Sequence, residues 1–207
     1  MIMDTQIKNI IFDWGGVLLD LDFEGCLQRF EKAGATEIRN LVTGKNEAGF
    51  FHQYECGMIS TPQFREEIRR LTGNGQLTDD EVDAIWNSEL LSIPEEKLRL
   101  LMELSQKYRI YLLSNTNELH WNSASGRAFQ YGNTDVKEYF TQIFLSYEMK
   151  LAKPDPEIFR AVMNAAGLRP EETVFIDDAK VNCEAAVSTG MHAMHYIPRE
   201  DLALLFQ

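Results

Sequence analysis

The chain has 207 residues, enough for one large domain or for a core domain that carries a small insertion. Hydrophobic residues make up 44% of it and charged residues 25%, an ordinary globular composition that argues against disorder. The net charge of −12 disfavours nucleic-acid partners, because it repels their phosphate backbone. It does not exclude a small phosphorylated ligand, since a bound metal ion can reverse the potential locally.

The cysteines and the apolar segments indicate the compartment. Cys26, Cys56 and Cys183 are widely separated, which favours neither a disulfide framework nor a zinc site. The N-terminus has no long apolar segment with a cleavage site, and no run approaches the roughly 20 apolar residues of a membrane span. We therefore expect a cytoplasmic protein without a membrane partner; the sequence does not indicate an oligomeric state.

The first predicted element is a buried strand over Ile7–Phe12, which ends at Asp13. Gly15 and Gly16 then predict a tight turn, so the carboxylate of Asp13 is held at the end of the strand. The main-chain N–H groups of Trp14, Gly15 and Gly16 suit a phosphate. An aspartate after a strand is about as often a simple cap of the next turn.

The next stretch, from about Leu21 to Leu91, has a helical pattern and no strand pattern. Its helix signals are Phe23, Leu27 and Phe30 at helical spacing, the pair Thr61-Pro62, and Thr78 with Glu81. We predict an all-helical cap domain, residues 21–91, inserted into a core domain formed by residues 1–20 and 92–207.

The rest of the chain alternates strands with helices. The predicted strands are Tyr108–Leu113, Gln142–Leu145 and Thr173–Ile176. The predicted helices begin with a capping box over Ser92–Glu95, at Pro156 and at Ala179, and the last two are followed by Gly167 and Gly190. This alternation predicts an α/β fold with a doubly wound parallel sheet, in which ligands bind beyond the carboxyl ends of the strands.

Polar residues follow these strands. Ser114 and Asn115 suit phosphate oxygens, although such residues are more often loop or helix caps. Lys153 precedes a proline that stiffens its loop and helps to aim its ammonium group, whereas most lysines are merely solvated. Asp177 and Asp178 are adjacent carboxylates, which favours a cation shared by both over a helix N-cap with an exposed neighbour, and Mg²⁺ prefers such hard oxygen ligands.

Four motifs in this order resemble those of the haloacid dehalogenase-like superfamily over nearly the whole chain. They are Phe-Asp-Trp-Gly-Gly-Val-Leu, Leu-Leu-Ser-Asn-Thr-Asn, Lys-Pro-Asp-Pro and Phe-Ile-Asp-Asp. The helical insertion is similar to the first type of cap in that family. The resemblance implies a Rossmann-like core and a Mg²⁺-dependent phosphatase that forms an aspartyl-phosphate intermediate.

The resemblance also implies roles for individual residues. Asp13 is implied as the nucleophile, and Lys153 as the cation that neutralises charge beside it. The implied metal ligands are Asp13, Gly15 through its carbonyl, Asp178, and Asp177 as an assisting group. The expected phosphate-binding residues are Trp14, Gly15, Gly16, Ser114 and Asn115.

The pattern departs from the family at Gly15, where most of its phosphatases have a second aspartate that acts as general acid and base. Such a group contributes about 10²–10⁴-fold, so we expect slow turnover of esters with poor leaving groups unless another residue substitutes. Asp20 and Asp22 are candidates by proximity. The loss favours substrates with an acidic departing oxygen, such as a sugar 1-phosphate, and the first motif also resembles a subgroup that includes sugar-1-phosphate phosphatases.

Two other functions remain open. A metal-independent 2-haloacid dehalogenase uses the same aspartate on carbon and is compatible with Gly15, although the pair Asp177-Asp178 argues against it. A non-catalytic protein that binds a phosphorylated metabolite is the second alternative.

Aromatic residues and one cap segment are further candidates for substrate contacts. We expect Phe50–Gly57 to form a loop over the crevice, with His52, Tyr54 or Glu55 near the substrate; helix core with an exposed His52 is an equal alternative. Trp14 and Trp121 are either walls of the substrate site or ordinary core residues.

Overall fold

The structure is a computed structural model that describes residues 6–43, 49–131 and 135–207. Its centre is a five-stranded sheet in the order β3-β2-β1-β4-β5, and all neighbouring strands are parallel. The strands are β1 (Asn9–Phe12), β2 (Arg109–Ser114), β3 (Gln142–Leu145), β4 (Thr173–Asp177) and β5 (His192–His195). The predicted α/β fold with a parallel sheet is confirmed.

Helices lie on the sheet and form the insertion. Those of the insertion are α1 (Phe23–Lys32), α2 (Ile38–Thr43), α3 (Phe50–Glu55), α4 (Thr61–Thr72) and α5 (Asp79–Asn87). Those of the core are α6 (Glu95–Ser105), α7 (Glu118–Ala128), α8 (Val136–Tyr139), α9 (Ser146–Met149), α10 (Pro156–Ala166) and α11 (Lys180–Ser188). Short 3₁₀ helices cover Pro170–Glu172 and Leu202–Phe206.

The helix starts test the capping predictions. Helix α5 has the predicted capping box between Thr78 and Glu81, and α10 begins at Pro156 as predicted. The capping box predicted at Ser92 is wrong, because Pro94 precedes α6 and makes no side-chain cap. Ser92 instead uses its carbonyl to accept the N–H of Asp20, so it belongs to the connection between the insertion and the core.

Three apolar clusters organise the molecule. Two of them cover opposite faces of the sheet, around Leu112 and Ile176 on one face and around Phe159 and Phe175 on the other. The third lies within the helical insertion and is centred on Phe64. The insertion therefore has a core of its own, and within the described part of the chain no helix is long and apolar enough to cross a membrane.

The insertion joins the core through two chain segments that run side by side. Leu21 pairs with Leu90 in an antiparallel bridge, and the N–H of Asp22 donates to the carbonyl of Glu89 at 2.8 Å. This junction lies at the predicted boundaries of 20/21 and 91/92. Residues 1–5, 44–48 and 132–134 of the predicted domains lie outside the described residues, and the division into core and cap stays a prediction.

Candidate active site

The carboxyl ends of three neighbouring strands bring the candidate residues together. Strand β1 lies between β2 and β4, with Phe12 opposite both Leu112 and Ile176. Asp13 follows β1 directly, and its N–H donates to the carbonyl of Ile176 at 2.9 Å. Ser114 ends β2 and Asp177 ends β4, so residues more than 60 positions apart in sequence meet at one edge of the sheet.

Lys153 is the buried cation at the centre of this edge. Its Nζ lies 2.9 Å from Asp13 Oδ1 and 2.7 Å from Asp177 Oδ2, and it also donates to the carbonyl of Leu113 at 3.3 Å. Burial alone would lower the pKa of this lysine, but the attraction of the two carboxylates outweighs it and raises the pKa. Lys153 is therefore a charged ammonium that bridges two carboxyl groups.

Asn115 holds Lys153 in place. Its side-chain Nδ2 donates to the carbonyl of Lys153 at 2.8 Å, and its Oδ1 accepts the N–H of the same residue at 2.8 Å. This side chain was expected to hold phosphoryl oxygens, but both ends of its amide group are bound to the lysine's main chain. A contact between Asn115 and phosphate would therefore have to use the second N–H of Nδ2 or the main chain.

Three carboxyl groups cluster beside this lysine, and two of them, Asp13 and Asp177, contact it. Asp13, Asp177 and Asp178 each place a carboxylate oxygen within 4.8 Å of the others. Burial, helped by repulsion from Asp177 and Asp178 and opposed by the attraction of Lys153, raises the pKa of Asp13 to about 8. The pKa of Asp178 is also raised, first by burial and then by Asp177. One ammonium does not balance three carboxylates, so the cluster favours an additional cation.

The oxygen atoms of this cluster suit Mg²⁺, which prefers hard oxygen ligands and keeps several waters. Asp177 is held rigidly, because its carboxylate accepts the N–H of Ala179 at 2.7 Å and the amide of Asn182 at 3.0 and 3.1 Å. The sequence analysis missed Asn182, whose position in the first turns of α11 carries no local signal. Asp178 is partly exposed and is the freer of the two adjacent aspartates.

Gly16 allows the close approach of Asp178. A β-carbon at this position would lie 2.7 Å from Asp178 Cγ and closer still to Oδ2, and the φ of Gly16 is +79°. Only glycine adopts this backbone conformation at low cost and leaves the space that the carboxylate fills. Gly16 therefore shapes the acidic cluster through its missing side chain.

Two main-chain donors of the turn, those of Trp14 and Gly16, are engaged within the turn itself. The N–H of Gly16 donates to the carbonyl of Leu19 at 2.9 Å, and the N–H of Trp14 donates to Asp13 Oδ1 at 2.7 Å. Both groups were expected to bind phosphate oxygens, and neither is free to do so in this structure. Gly15 is half-buried between them, and Ser114 is buried at the end of β2.

The two tryptophans pack against each other and do not form a wall of a substrate site. Trp14 is 2% exposed and packs edge-to-face on Trp121, with ring centroids 5.1 Å apart. Both rings belong to the apolar cluster on one face of the sheet. The core interpretation of Trp14 is the one that this packing favours.

Asp20 and Asp22 are engaged in other contacts. Asp20 accepts a hydrogen bond from the buried Lys97 at 3.1 Å. Asp22 caps α1 through the N–H of Gly25 at 3.0 Å and pairs with Arg29 at 3.3 Å. The structure therefore does not favour either as the proton donor that is missing at Gly15.

The cap residues 50–55 form helix α3, so the prediction of a loop over this whole stretch is wrong. Tyr54 is buried and stacks on Phe64 at 4.2 Å, and its hydroxyl accepts the N–H of Leu119 at 3.3 Å. Two adjacent phenylalanines favour a helix here because both pack into the cap core. The Nε2 atom of His52 lies 3.5 Å from Cys56 Sγ.

Direct hydrogen bonds hold the cap against the core. Trp86 Nε1 donates to Asn117 Oδ1 at 3.2 Å, and His120 Nε2 contacts the carbonyl of Trp86 at 3.2 Å. The His120 ring stacks on Trp86 at 4.5 Å, and burial lowers the pKa of His120 to about 4. Thr61 also donates to the carboxylate of Glu118. The cap thus closes over the carboxyl ends of the strands.

The sequence is similar to a hydrolase family and to two phosphatases of known name. A sequence model described as a haloacid dehalogenase-like hydrolase matches residues 7–190. The D-ribitol-5-phosphate phosphatase of Bacteroides thetaiotaomicron is 32% identical over 185 residues, which cover 89% of each protein. A phosphorylated carbohydrates phosphatase of Thermotoga maritima is 34% identical over 195 residues, covering 91% of this chain and 84% of that protein.

Solved structures show the same similarity. A crystal structure of an HAD family enzyme from Bacteroides thetaiotaomicron, in complex with magnesium and inorganic phosphate, has 45% sequence identity to this chain and a TM-score of 0.91. The match covers 97% of this chain and 100% of that one.

Proposed function

The chain belongs to the haloacid dehalogenase-like hydrolases, and we propose that it is a Mg²⁺-dependent phosphatase of a small phosphorylated carbohydrate. The observation that carries this proposal is the cluster of Asp13, Asp177 and Asp178, in which the buried Lys153 bridges Asp13 and Asp177. The relatives named as phosphatases, and the magnesium and phosphate in the similar crystal structure, support it independently.

Asp13, Asp178 and the carbonyl of Gly15 would hold the metal ion, with Asp177 close by. When bound, Mg²⁺ supplies positive charge to the phosphoryl oxygens and to the carboxylate of Asp13. The donor set fits this ion, because it consists of oxygen atoms whose negative charge Lys153 balances only in part.

Asp13 is the proposed nucleophile. Its carboxylate oxygen attacks phosphorus, the ester oxygen of the substrate departs, and an aspartyl-phosphate forms that water then hydrolyses. Lys153 touches this carboxylate at 2.9 Å, so it stabilises the ionised form and lies where the phosphoryl charge arrives. Ser114, at the end of the neighbouring strand, is the proposed ligand of a phosphoryl oxygen.

The substrate class follows from the relatives, and the individual substrate does not. D-ribitol 5-phosphate, named for one relative, is the ester of a primary alcohol and has a poor leaving group. A sugar 1-phosphate, predicted from the glycine at position 15, has a more acidic departing oxygen.

The three cysteines are free and buried, which supports the predicted cytoplasmic location.

The test is phosphate release from both kinds of ester and from p-nitrophenyl phosphate, with Mg²⁺ or with EDTA. Wild type is compared with Asp13→Asn, which exposes any contaminating phosphatase. We expect Mg²⁺-dependent release that the substitution abolishes. Release of chloride from 2-chloropropionate without metal, and no phosphate release, would instead establish a dehalogenase.

A further inference from the structure

A proton must reach the departing oxygen when the ester of an alkyl alcohol breaks, and Gly15 has no carboxyl group to supply it. We propose that Glu55, at the end of cap helix α3, is the general acid and base of the reaction. This role rests on the proposed phosphatase function and adds a catalytic residue to it.

The main chain of Glu55 is fixed against the active site. Its carbonyl accepts a hydrogen bond from Ser146 Oγ at 2.6 Å, and the same hydroxyl accepts the N–H of Thr116 at 2.9 Å. Thr116 directly follows Asn115, the residue that orients Lys153. A short chain of contacts therefore connects Glu55 to the loops at the carboxyl ends of β2 and β3.

The turn after Glu55 also lies close to the core. The carbonyl of Gly57 accepts a hydrogen bond from Lys150 Nζ at 2.6 Å. The φ of Gly57 is +57°, and a β-carbon at this position would overlap the carbonyl oxygen of Tyr147. Glycine is thus required for the approach of this turn to α9, and the approach keeps Glu55 at the crevice between cap and core.

The carboxyl group of Glu55 lies among protein atoms and is available to a bound substrate. It has no hydrogen-bond partner within the described part of the chain, and the residue is only partly buried, so a molecule in the crevice can reach it. The charged or titratable groups coupled to it are Lys153, Glu89 and Cys56. Lys153 contacts the nucleophile Asp13 at 2.9 Å, so the cation that acts on Glu55 also touches the reacting carboxylate.

The proton affinity of Glu55 suits an acid that must later act as a base. Burial raises its pKa to about 7, and the attraction of Lys153 opposes this rise only in part. A group with a pKa near the working pH is present in both protonation states and gives the best general acid–base catalysis. The pKa of Glu89 is also raised to about 7, by burial and by repulsion from Glu55. The attraction of Lys153 acts on Glu55 and is not among the causes of the shift at Glu89.

The two chemical steps balance with this single group. In the first, the carboxylate of Asp13 forms a bond to phosphorus, the bond from phosphorus to the ester oxygen breaks, and that oxygen takes the proton of Glu55. In the second, water attacks phosphorus, the carboxylate of Glu55 takes its proton, and the bond to Asp13 breaks. Glu55 and Asp13 are thereby restored, and the products are an alcohol and inorganic phosphate.

Glu55→Gln tests this role, since it keeps the shape of the side chain and removes its proton. We expect kcat/KM for D-ribitol 5-phosphate to fall by about 10²–10⁴-fold. The kcat/KM for p-nitrophenyl phosphate should fall by less than about tenfold, because its leaving group departs without a proton. Glu89→Gln is the matched control, and it should leave the ratio of the two rates unchanged.

Other results would overturn the role. An equal fall for both substrates would show a structural or binding role, and no fall would show no role. Wild type gives a second measurement that does not depend on the folding of a variant: kcat/KM for the alkyl ester, and not for the aryl ester, should decline above a pKa near 7. The same pH profile for both esters would contradict the proposal. Absence of Mg²⁺-dependent release even from p-nitrophenyl phosphate would overturn the phosphatase function itself.

Discussion

Replacement of Gly16 by alanine perturbs the acidic cluster without removing any of its carboxyl groups. The φ of +79° costs an alanine about 1–2 kcal/mol, and the new β-carbon would lie 2.7 Å from Asp178 Cγ, so the carboxylate must move. Gly73 offers a matched control at the end of α4. Its φ is +64°, and a β-carbon there meets no atom within 4 Å, so Gly73→Ala has the same backbone cost and displaces nothing.

The assay is the free energy of unfolding in urea, with and without Mg²⁺. At 100 times its dissociation constant, Mg²⁺ stabilises the wild type by about 2.7 kcal/mol, and each tenfold loss of affinity removes about 1.4 kcal/mol of this gain. Gly73→Ala should lower the free energy of unfolding by about 1–2 kcal/mol and keep the full gain from Mg²⁺.

Gly16→Ala should lower the free energy of unfolding by at least the same amount and also lose at least about 1.4 kcal/mol of the gain from Mg²⁺, since one ligand is displaced. Equal stabilisation of the two variants by Mg²⁺ would refute the placement of the metal ion beside Asp178.

Two further predictions concern buried charge. Lys153→Met leaves Asp13 and Asp177 buried without their cation, so we expect it to lower the free energy of unfolding without Mg²⁺ by about 3–5 kcal/mol. The control is Lys150→Met, at an exposed position, which should lower it by less than about 1 kcal/mol. Similar losses of stability in the two variants would contradict the central ion pair. Burial lowers the pKa of His120 from 6.5 to about 4, so its neutral form contributes fully to stability above pH 6.5, and about 3 kcal/mol of stability is lost as the pH falls from 6.5 to 4. Urea unfolding of wild type and His120→Gln over this range checks the second prediction, and parallel curves would contradict it.

Much of the fold could be predicted because its signals are local. Strands β1 and β4 read as short apolar runs, since central strands of a parallel sheet are buried on both faces. Strand β5 was missed because it lies at the edge of the sheet and has an exposed histidine at each end. Helix α7 was missed because its small and polar residues form no clear apolar face.

The meeting of the four motifs at one edge could be predicted, since parallel strands place their carboxyl ends side by side. The individual contacts could not be predicted, because they join residues far apart in sequence. Asn115 binds the main chain of Lys153 across 38 positions, and Ser146 binds Glu55 across 91. The engaged N–H of Gly16 depends on how its turn closes on Leu19, which the sequence alone does not specify.

The central claim is that Asp13 forms a covalent phosphoryl intermediate. Rapid acid quenching of the enzyme during turnover of a ³²P-labelled substrate tests it most directly. We expect labelled wild-type protein, loss of the label in hydroxylamine, and a labelled peptide that contains Asp13; Asp13→Asn should carry no label. Label on a different residue, or an equally labelled Asp13→Asn protein, would contradict the account.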